Sequence, residues 1–188
     1  MKRLISFALA AVSLPMLSCA QNTHDEHGVQ VTDYDNSPVT DFDLSSYLGT
    51  WYEIARFDHS FERGMENVMA EYLLRDDGKI DVINSGWKDG VYKVAEGKAK
   101  QPDPSKDPAH LKVSFFLFFY SDYNVLMVDD DYQLALVGSR SPKYLWILSR
   151  TPEVSDEALD QVLEEASGRG YDIDRLIWVD QSANAAGF

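Results

Sequence analysis

The chain is poor in cysteine, in histidine and in positive charge. Cys19 is the one cysteine among 188 residues, so no intrachain disulfide is possible; the length and hydrophobic content suit one domain with a substantial core. Four histidines are present, His24, His27, His59 and His110. The first two read as spacers in a polar stretch, and no metal site is expected. Lys and Arg total 17 against 31 Asp and Glu, a net charge of −14, and neither Lys nor Arg occurs between Arg3 and Arg56. That leaves no basic patch for nucleic acid. Gly-x-Ser-x-Gly, His-Glu-x-x-His and phosphate-binding glycine loops are all missing, so no catalytic residue is assigned and an enzyme is not expected.

An apolar stretch from Leu4 to Leu17 follows Lys2 and Arg3. It is too short for a comfortable membrane span, and residues 1–18 read as a secretory signal. The stretch ends in Met16-Leu17-Ser18-Cys19, which resembles the bacterial lipobox, whose cysteine is lipidated and becomes the new N-terminus. By the same resemblance, Ala20 rather than an aspartate after the cysteine implies the outer membrane of a Gram-negative envelope. Several acyl chains anchor stably where one does not. Residues 19–43 then read as the lipidated cysteine and a flexible acidic linker, with Asp25, Glu26, Asp33, Asp35, Asp41 and Asp43 among small polar residues.

From Leu44 the pattern changes. Short runs rich in Val, Ile, Tyr, Phe and Leu recur, centred near Tyr52, Tyr72, Val82, Glu96, Phe115, Leu126, Leu136 and Ile147, with turn residues such as Asp76-Asp77-Gly78 and Asp129-Asp130-Asp131 between them. Strands in such order predict an all-β fold, an eight-stranded antiparallel up-and-down β-barrel whose interior holds one small ligand. Ser155 as N-cap, Asp156 and Glu157 after it, and the stripe Leu159, Val162, Leu163, Ala166 predict one C-terminal helix lying on the barrel. Gly168 and Gly170 stop it, Ile173 to Val179 returns as a ninth strand, and 182–188 is a tail beyond the 44–181 barrel.

Period-two alternation along the first strand puts Trp51, Glu53, Ala55 and Phe57 on one inward face. An ionised Glu53 in an apolar cavity is unfavourable by several kcal/mol unless paired, so it needs a raised pKa or a buried partner. Two readings stay open: a polar cluster deep in the cavity, or an internal salt bridge that only supports the fold. The densest aromatic run is Phe115, Phe116, Phe118, Phe119, Tyr120 and Tyr123. Alternation must send some of these outward, where the helix or a protein interface would cover them. Glu53, Ala55, Phe57, Phe116, Phe118 and Tyr123 are the candidate ligand contacts.

Gly49-Thr50-Trp51-Tyr52, Ser121-Asp122-Tyr123-Asn124 and Arg150 in "LWILSRTP" resemble, in order and spacing, the three signatures of the lipocalin family, over Leu44 to Gln181. "YLGTWYEIARFDHSFERG" and "SFFLFFYSDYNVL" are similar to its bacterial outer-membrane members in the apolipoprotein D-like branch. The resemblance implies that Trp51 fills the barrel floor and Arg150 packs across it, so that Gly49, Trp51, Tyr52 and Arg150 serve the scaffold. It further implies an outer-membrane carrier of a fatty acid or lysophospholipid, serving envelope maintenance, without a cofactor, and a homodimer in at least one bacterial relative. Alternatives are a haem or other planar ligand held through His59 or His110, a lipocalin-type enzyme, and a tether without ligand.

Overall fold

A computed structural model describes residues 34–187. The expected signal segment, Cys19, His24 and His27 lie outside the described residues. Helix α1 (Leu44–Tyr47) leads into eight strands, β1 (Gly49–Phe57), β2 (Glu66–Leu74), β3 (Ile80–Lys88), β4 (Val91–Lys100), β5 (His110–Phe116), β6 (Phe119–Val128), β7 (Leu134–Gly138) and β8 (Leu145–Ser149). Each pairs antiparallel with the next, and β8 pairs with β1, closing an up-and-down barrel that removes the free edges an open sheet would carry. All eight expected strand centres fall within these ranges.

The side-chain period of two builds two apolar layers. In β7, Ala135 and Val137 join an interior cluster with Trp51, Tyr72, Val82, Leu111 and Val125. Leu134 and Leu136 between them join an exterior cluster with Leu145, Ile147, Val162 and Ala166. The last two belong to α2 (Asp156–Gly168), which starts where Ser155 Oγ accepts the Ala158 N–H and covers the outer face of the barrel. Gly170, at φ +86°, lets the chain turn back.

Three segments depart from the expected boundaries. Packing begins ten residues before Leu44: Asp35 N–H donates to Arg169 O (2.8 Å), Val39 N–H to Val125 O (2.9 Å), and Phe42 is buried in the interior cluster. The acidic composition there hides two apolar residues, Val39 and Phe42, that hold the segment down. The ninth strand is shorter than expected, because Ile173–Arg175 winds as a 3-10 turn and only Leu176–Trp178 (β9) pairs, against Ala55–Phe57. The expected tail contains a short helix, α3 (Ser182–Ala185), whose Ala183 N–H donates to Asn67 Oδ1. Gln181 Nε2 donates to Glu53 O (2.8 Å) and Val68 O (2.9 Å), bridging the seam where β1 leaves β2 for β9.

The barrel's two ends differ in charge. At one end lie α1 and the β2–β3, β4–β5 and β6–β7 connections, carrying Asp76, Asp77, Asp103, Asp107 and Asp129 to Asp131 against Arg75, Lys79 and Lys106. At the other lie the β1–β2, β3–β4, β5–β6 and β7–β8 connections, with Arg63, Arg140, Lys143 and, at the end of β3, Lys88 against Asp58, Glu62 and Asp89.

Candidate functional site: the barrel cavity and its two ends

The acidic end is closed. Trp51 has no exposed surface, donates its indole N–H to Tyr47 O (2.8 Å), and carries the Arg150 guanidinium 3.8 Å from its ring centroid. Arg150 follows β8 immediately and reaches back to donate to the carbonyls of Thr50 (2.7 Å), Ser46 and Leu48 (both 2.8 Å) and Tyr132 (3.2 Å). It therefore supplies donors to the end of α1, which has no helical partners for those carbonyls. Asp43 caps the same helix at its start through the Ser45 and Ser46 N–H groups, and these bonds, with the two serine hydroxyls, hold its carboxyl down at about 2. Gly49 takes φ +94° between helix and strand, a conformation a side chain disfavours.

Just above the floor, the hydroxyls of Tyr47 and Tyr72 each meet that of Tyr123, at 2.6 and 2.9 Å. Burial pushes all three phenols upward, so they stay neutral and share protons among themselves.

A charged layer follows. Glu53 and Arg56 are both buried, and Arg56 Nη1 donates to Glu53 Oε1 at 2.5 Å while Nη2 donates to Glu62 O at 2.8 Å. Arg56 Nε has no partner. The Trp146 indole N–H donates to Glu62 Oε2 (3.1 Å), and His59 Nε2 lies 2.9 Å from that oxygen in a direction that makes no hydrogen bond. Burial first, and then the charge of Glu62, push the Glu53 carboxyl above the ordinary range, against the pull of Arg56. In this solvent-poor layer, with the Glu62 charge nearby, the Glu53 carboxyl holds its proton to higher pH than an ordinary one.

Between the charged layer and the basic end is a cavity of about 680 Å³. Val68, Ala70, Val82, Val94, Val113 and Leu148 give it apolar walls, Glu53 and Tyr123 lie on its deep side, and Phe61, Phe115, Phe116, Phe119 and Tyr144 stand around its mouth. The volume falls within the range of about 300–1,000 Å³ typical of small-molecule sites.

Of the expected ligand contacts, Glu53, Phe116 and Tyr123 line this space. Ala55 and Phe57 do not, and the inward parity drawn for β1 is corrected here. A bulge between Glu53 and Ala55, visible as a register shift against β8, turns both Ile54 and Ala55 to the exterior cluster. Phe57 consequently packs outside against Tyr171 and under Arg175, and Arg56 takes the inward place. Phe118 sits at the tip of the β5–β6 turn, 85% exposed, away from the cavity walls. The outward aromatics are also not under the helix, because α2 covers the β7–β8 side through Leu134, Leu136 and Ile147. His110 faces outward to Asp122 (3.0 Å), beside the inward Leu111, so it does not reach the cavity as the haem alternative requires. His59 stacks on Phe61 with centroids 3.9 Å apart.

Arg56, Glu62 and the Tyr47–Tyr72 pair were not among the candidates. Strict alternation hides Arg56, since the bulge has no sequence mark of its own, and Glu62 lies in a loop where no periodicity applies. Tyr47 stands only four residues before Trp51, and its closeness to Tyr72 exists only once the barrel closes.

The closed eight-stranded barrel, its plugged floor and its cavity define a barrel of the lipocalin type. A lipocalin-like domain matches residues 42–181. The chain is 46% identical over 182 residues to Outer membrane lipoprotein Blc of Escherichia coli strain K12, covering 95% of this chain and 98% of that protein. It is 50% identical over 147 residues to Outer membrane lipoprotein Blc of Vibrio cholerae, covering 77% of this chain and 85% of that protein. Among solved structures, insecticyanin of the tobacco hornworm superposes with a TM-score of 0.67 at 26% identity, covering 80% of this chain and 87% of that one. The chain belongs to the lipocalin family.

Proposed function

We propose that this lipocalin is a lipid carrier of the Gram-negative outer membrane, held there through lipidated Cys19, that stores or transports one fatty acid or lysophospholipid for envelope maintenance. The Escherichia coli relative named outer membrane lipoprotein matches 95% of the chain, which supports both the location and the anchor. The observation that carries the ligand class is the cavity: about 680 Å³, walled by Val, Ala and Leu side chains and open at one end only.

Binding in such a space is partition rather than reaction. Each methylene moved from water contributes about 0.8 kcal/mol, so an acyl chain supplies the driving force before ordering costs are subtracted. One chain suits the volume better than two, and the polar head stays near the mouth, where Lys88 and Lys93 stand beside the opening. Glu53, held towards its neutral form, already accepts from Arg56 at the deep side, so a charged ligand group is not required there.

Lipid extraction of the mature protein followed by mass spectrometry tests the reading. A single-chain amphiphile near one per barrel is expected. Extraction that yields no amphiphile, from a protein that also fails to take up a fatty acid, would overturn it.

A further inference from the structure

The mouth of the barrel carries more exposed apolar surface than a ligand entrance requires. Phe116, Leu117, Phe118 and Phe119 are 68%, 61%, 85% and 74% exposed at the β5–β6 turn, and Trp87, Val91 and Tyr92 at the neighbouring β3–β4 turn are 42%, 51% and 49% exposed. Phe116 pairs with Phe119, so Leu117 and Phe118 form the two-residue turn itself. Leu117 takes φ +49°, where Asn or Gly is the ordinary choice and a large apolar side chain is disfavoured. Turn propensity and solvation both oppose these residues, and neither internal core packing nor the helix accounts for them.

Two further observations say what covers them. The described chain begins beside this same end: the Tyr34 hydroxyl donates to Arg140 O and Asn36 Nδ2 donates to Ser139 O, both in the β7–β8 connection. Cys19 lies 15 residues before Tyr34 in the sequence, a reach of at most about 50 Å. In addition, Lys88 and Lys93 flank the β3–β4 turn on either side of Asp89 and Lys143 lies in the β7–β8 connection, while the aspartate-rich connections lie at the opposite end.

We propose that the rim formed by the β3–β4 and β5–β6 turns is a docking surface for an anionic lipid bilayer, which the barrel meets mouth first. The part of the argument that uses the tether rests on the anchored-carrier reading; the exposed turns and the charge polarity do not. Phe, Trp and Leu side chains enter the headgroup boundary, and the lysines meet anionic headgroups. The cavity then opens directly onto the phase that supplies its ligand, so an acyl chain passes in without crossing water.

The test uses the chain from Ala20 onward, without the anchor; every strand and both apolar clusters lie within residues 34–187, so the barrel is intact in it. Co-sedimentation is measured with vesicles of phosphatidylcholine alone and of phosphatidylcholine with phosphatidylglycerol, at low and high salt. Binding to the anionic vesicles, weakened by salt, is expected, with a blue shift in tryptophan emission that Trp87→Phe removes. The double variant Leu117→Asp/Phe118→Asp should bind the vesicles at least about tenfold more weakly, from the loss of two buried apolar side chains. Its thermal melt and its uptake of a fatty acid from solution should be unchanged. Val91→Asp/Tyr92→Asp on the other turn repeats the test independently.

Equal binding by wild type and both variants, or no binding to either vesicle, overturns the proposal. A dimer in sedimentation velocity that Leu117→Asp/Phe118→Asp splits, without vesicle binding, assigns the rim to a second copy and likewise overturns it. Loss of fatty-acid uptake in the wild type with vesicle binding intact would instead remove the carrier reading and leave the docking surface standing.

Discussion

At the floor of the barrel, Trp51 is wholly buried and a single guanidinium stacks on it while bonding to the five carbonyls of Ser46, Tyr47, Leu48, Thr50 and Tyr132. At the mouth, Phe118 is 85% exposed and Leu117 sits in a left-handed backbone conformation. The floor joins the first and last barrel strands and every one of those contacts is internal, so its residues contribute to stability. The mouth leaves apolar groups facing outward, which weakens the isolated fold slightly and presents a surface. Between the two, the layer of Glu53, Arg56 and Glu62 supports the fold from beneath while forming the deep side of the cavity.

The largest expected effect falls on that intermediate layer. Arg56→Met leaves the buried Glu53 and Glu62 groups without their cation and donor and should destabilise by about 3–5 kcal/mol, the range for breaking one side of a buried pair. Glu53→Gln/Arg56→Met, which removes both charges, should recover part of the loss. Chemical denaturation of the two variants checks this; a double variant no more stable than the single would show that the Glu53 carboxyl is not what Arg56 balances.

The same carboxyl gives a pH dependence. Its folded pKa is raised above the unfolded value, so its contribution is fully present below the ordinary carboxylate range and is lost as pH rises through the raised folded pKa. The melting temperature should therefore fall on going from mildly acidic to alkaline buffer, and Glu53→Gln should flatten that fall. A slope unchanged in the variant would show that Glu53 is not the group behind the fall.

Next comes the floor. Arg150→Ala removes the stacking contact, worth about 0.5–2 kcal/mol, and leaves its carbonyl partners without their donor. A loss of about 2–4 kcal/mol is expected, or a melting temperature lower by about 2–4 °C for each kcal/mol, with ligand affinity changed less than about twofold. Gly49→Ala should lose about 1–2 kcal/mol from its backbone conformation alone, because the added Cβ meets Arg150 Nη1 at 3.5 Å, an ordinary contact. The smallest effect belongs to the mouth: Phe118→Ser should shift stability by less than about 0.5 kcal/mol. A large loss there would mean that the tip packs on something within the barrel, and would erase the contrast between the two ends.

The floor was legible in the sequence and the mouth only partly so. Gly49, Trp51 and Arg150 are large or conformationally special residues in fixed motifs, and the eight strands announce themselves by β-rich runs between turn residues. Glu53 was legible as a buried acid because it stands two positions after Trp51 in the strand, with only Tyr52 and no irregularity between. The bulge just beyond it was not legible, since a bulge is decided by how β1 fits β8 and β9 at once, and Ile54-Ala55 carries no signal for it. Ala55 and Phe57 were misplaced for that reason, and Arg56 went unseen. The run from Phe115 to Phe119 shows its excess of aromatics in the sequence, but that it surrounds an opening rather than lying under a helix emerges only from the closed barrel.

The central claim is that the cavity takes a single acyl chain through a mouth whose chemistry is separate from the floor's. Fluorescence titration of the Ala20-to-Phe188 chain with a fatty acid tests it most directly, with Ala70→Phe and Arg150→Ala alongside. Ala70 lies on the cavity wall, so a phenyl ring there occupies ligand volume. The account predicts saturable one-to-one binding by the wild type, at least about a tenfold loss in Ala70→Phe, and near-normal affinity in Arg150→Ala despite its lower melting temperature. Undiminished binding in Ala70→Phe, or an equal loss in both variants, would contradict it.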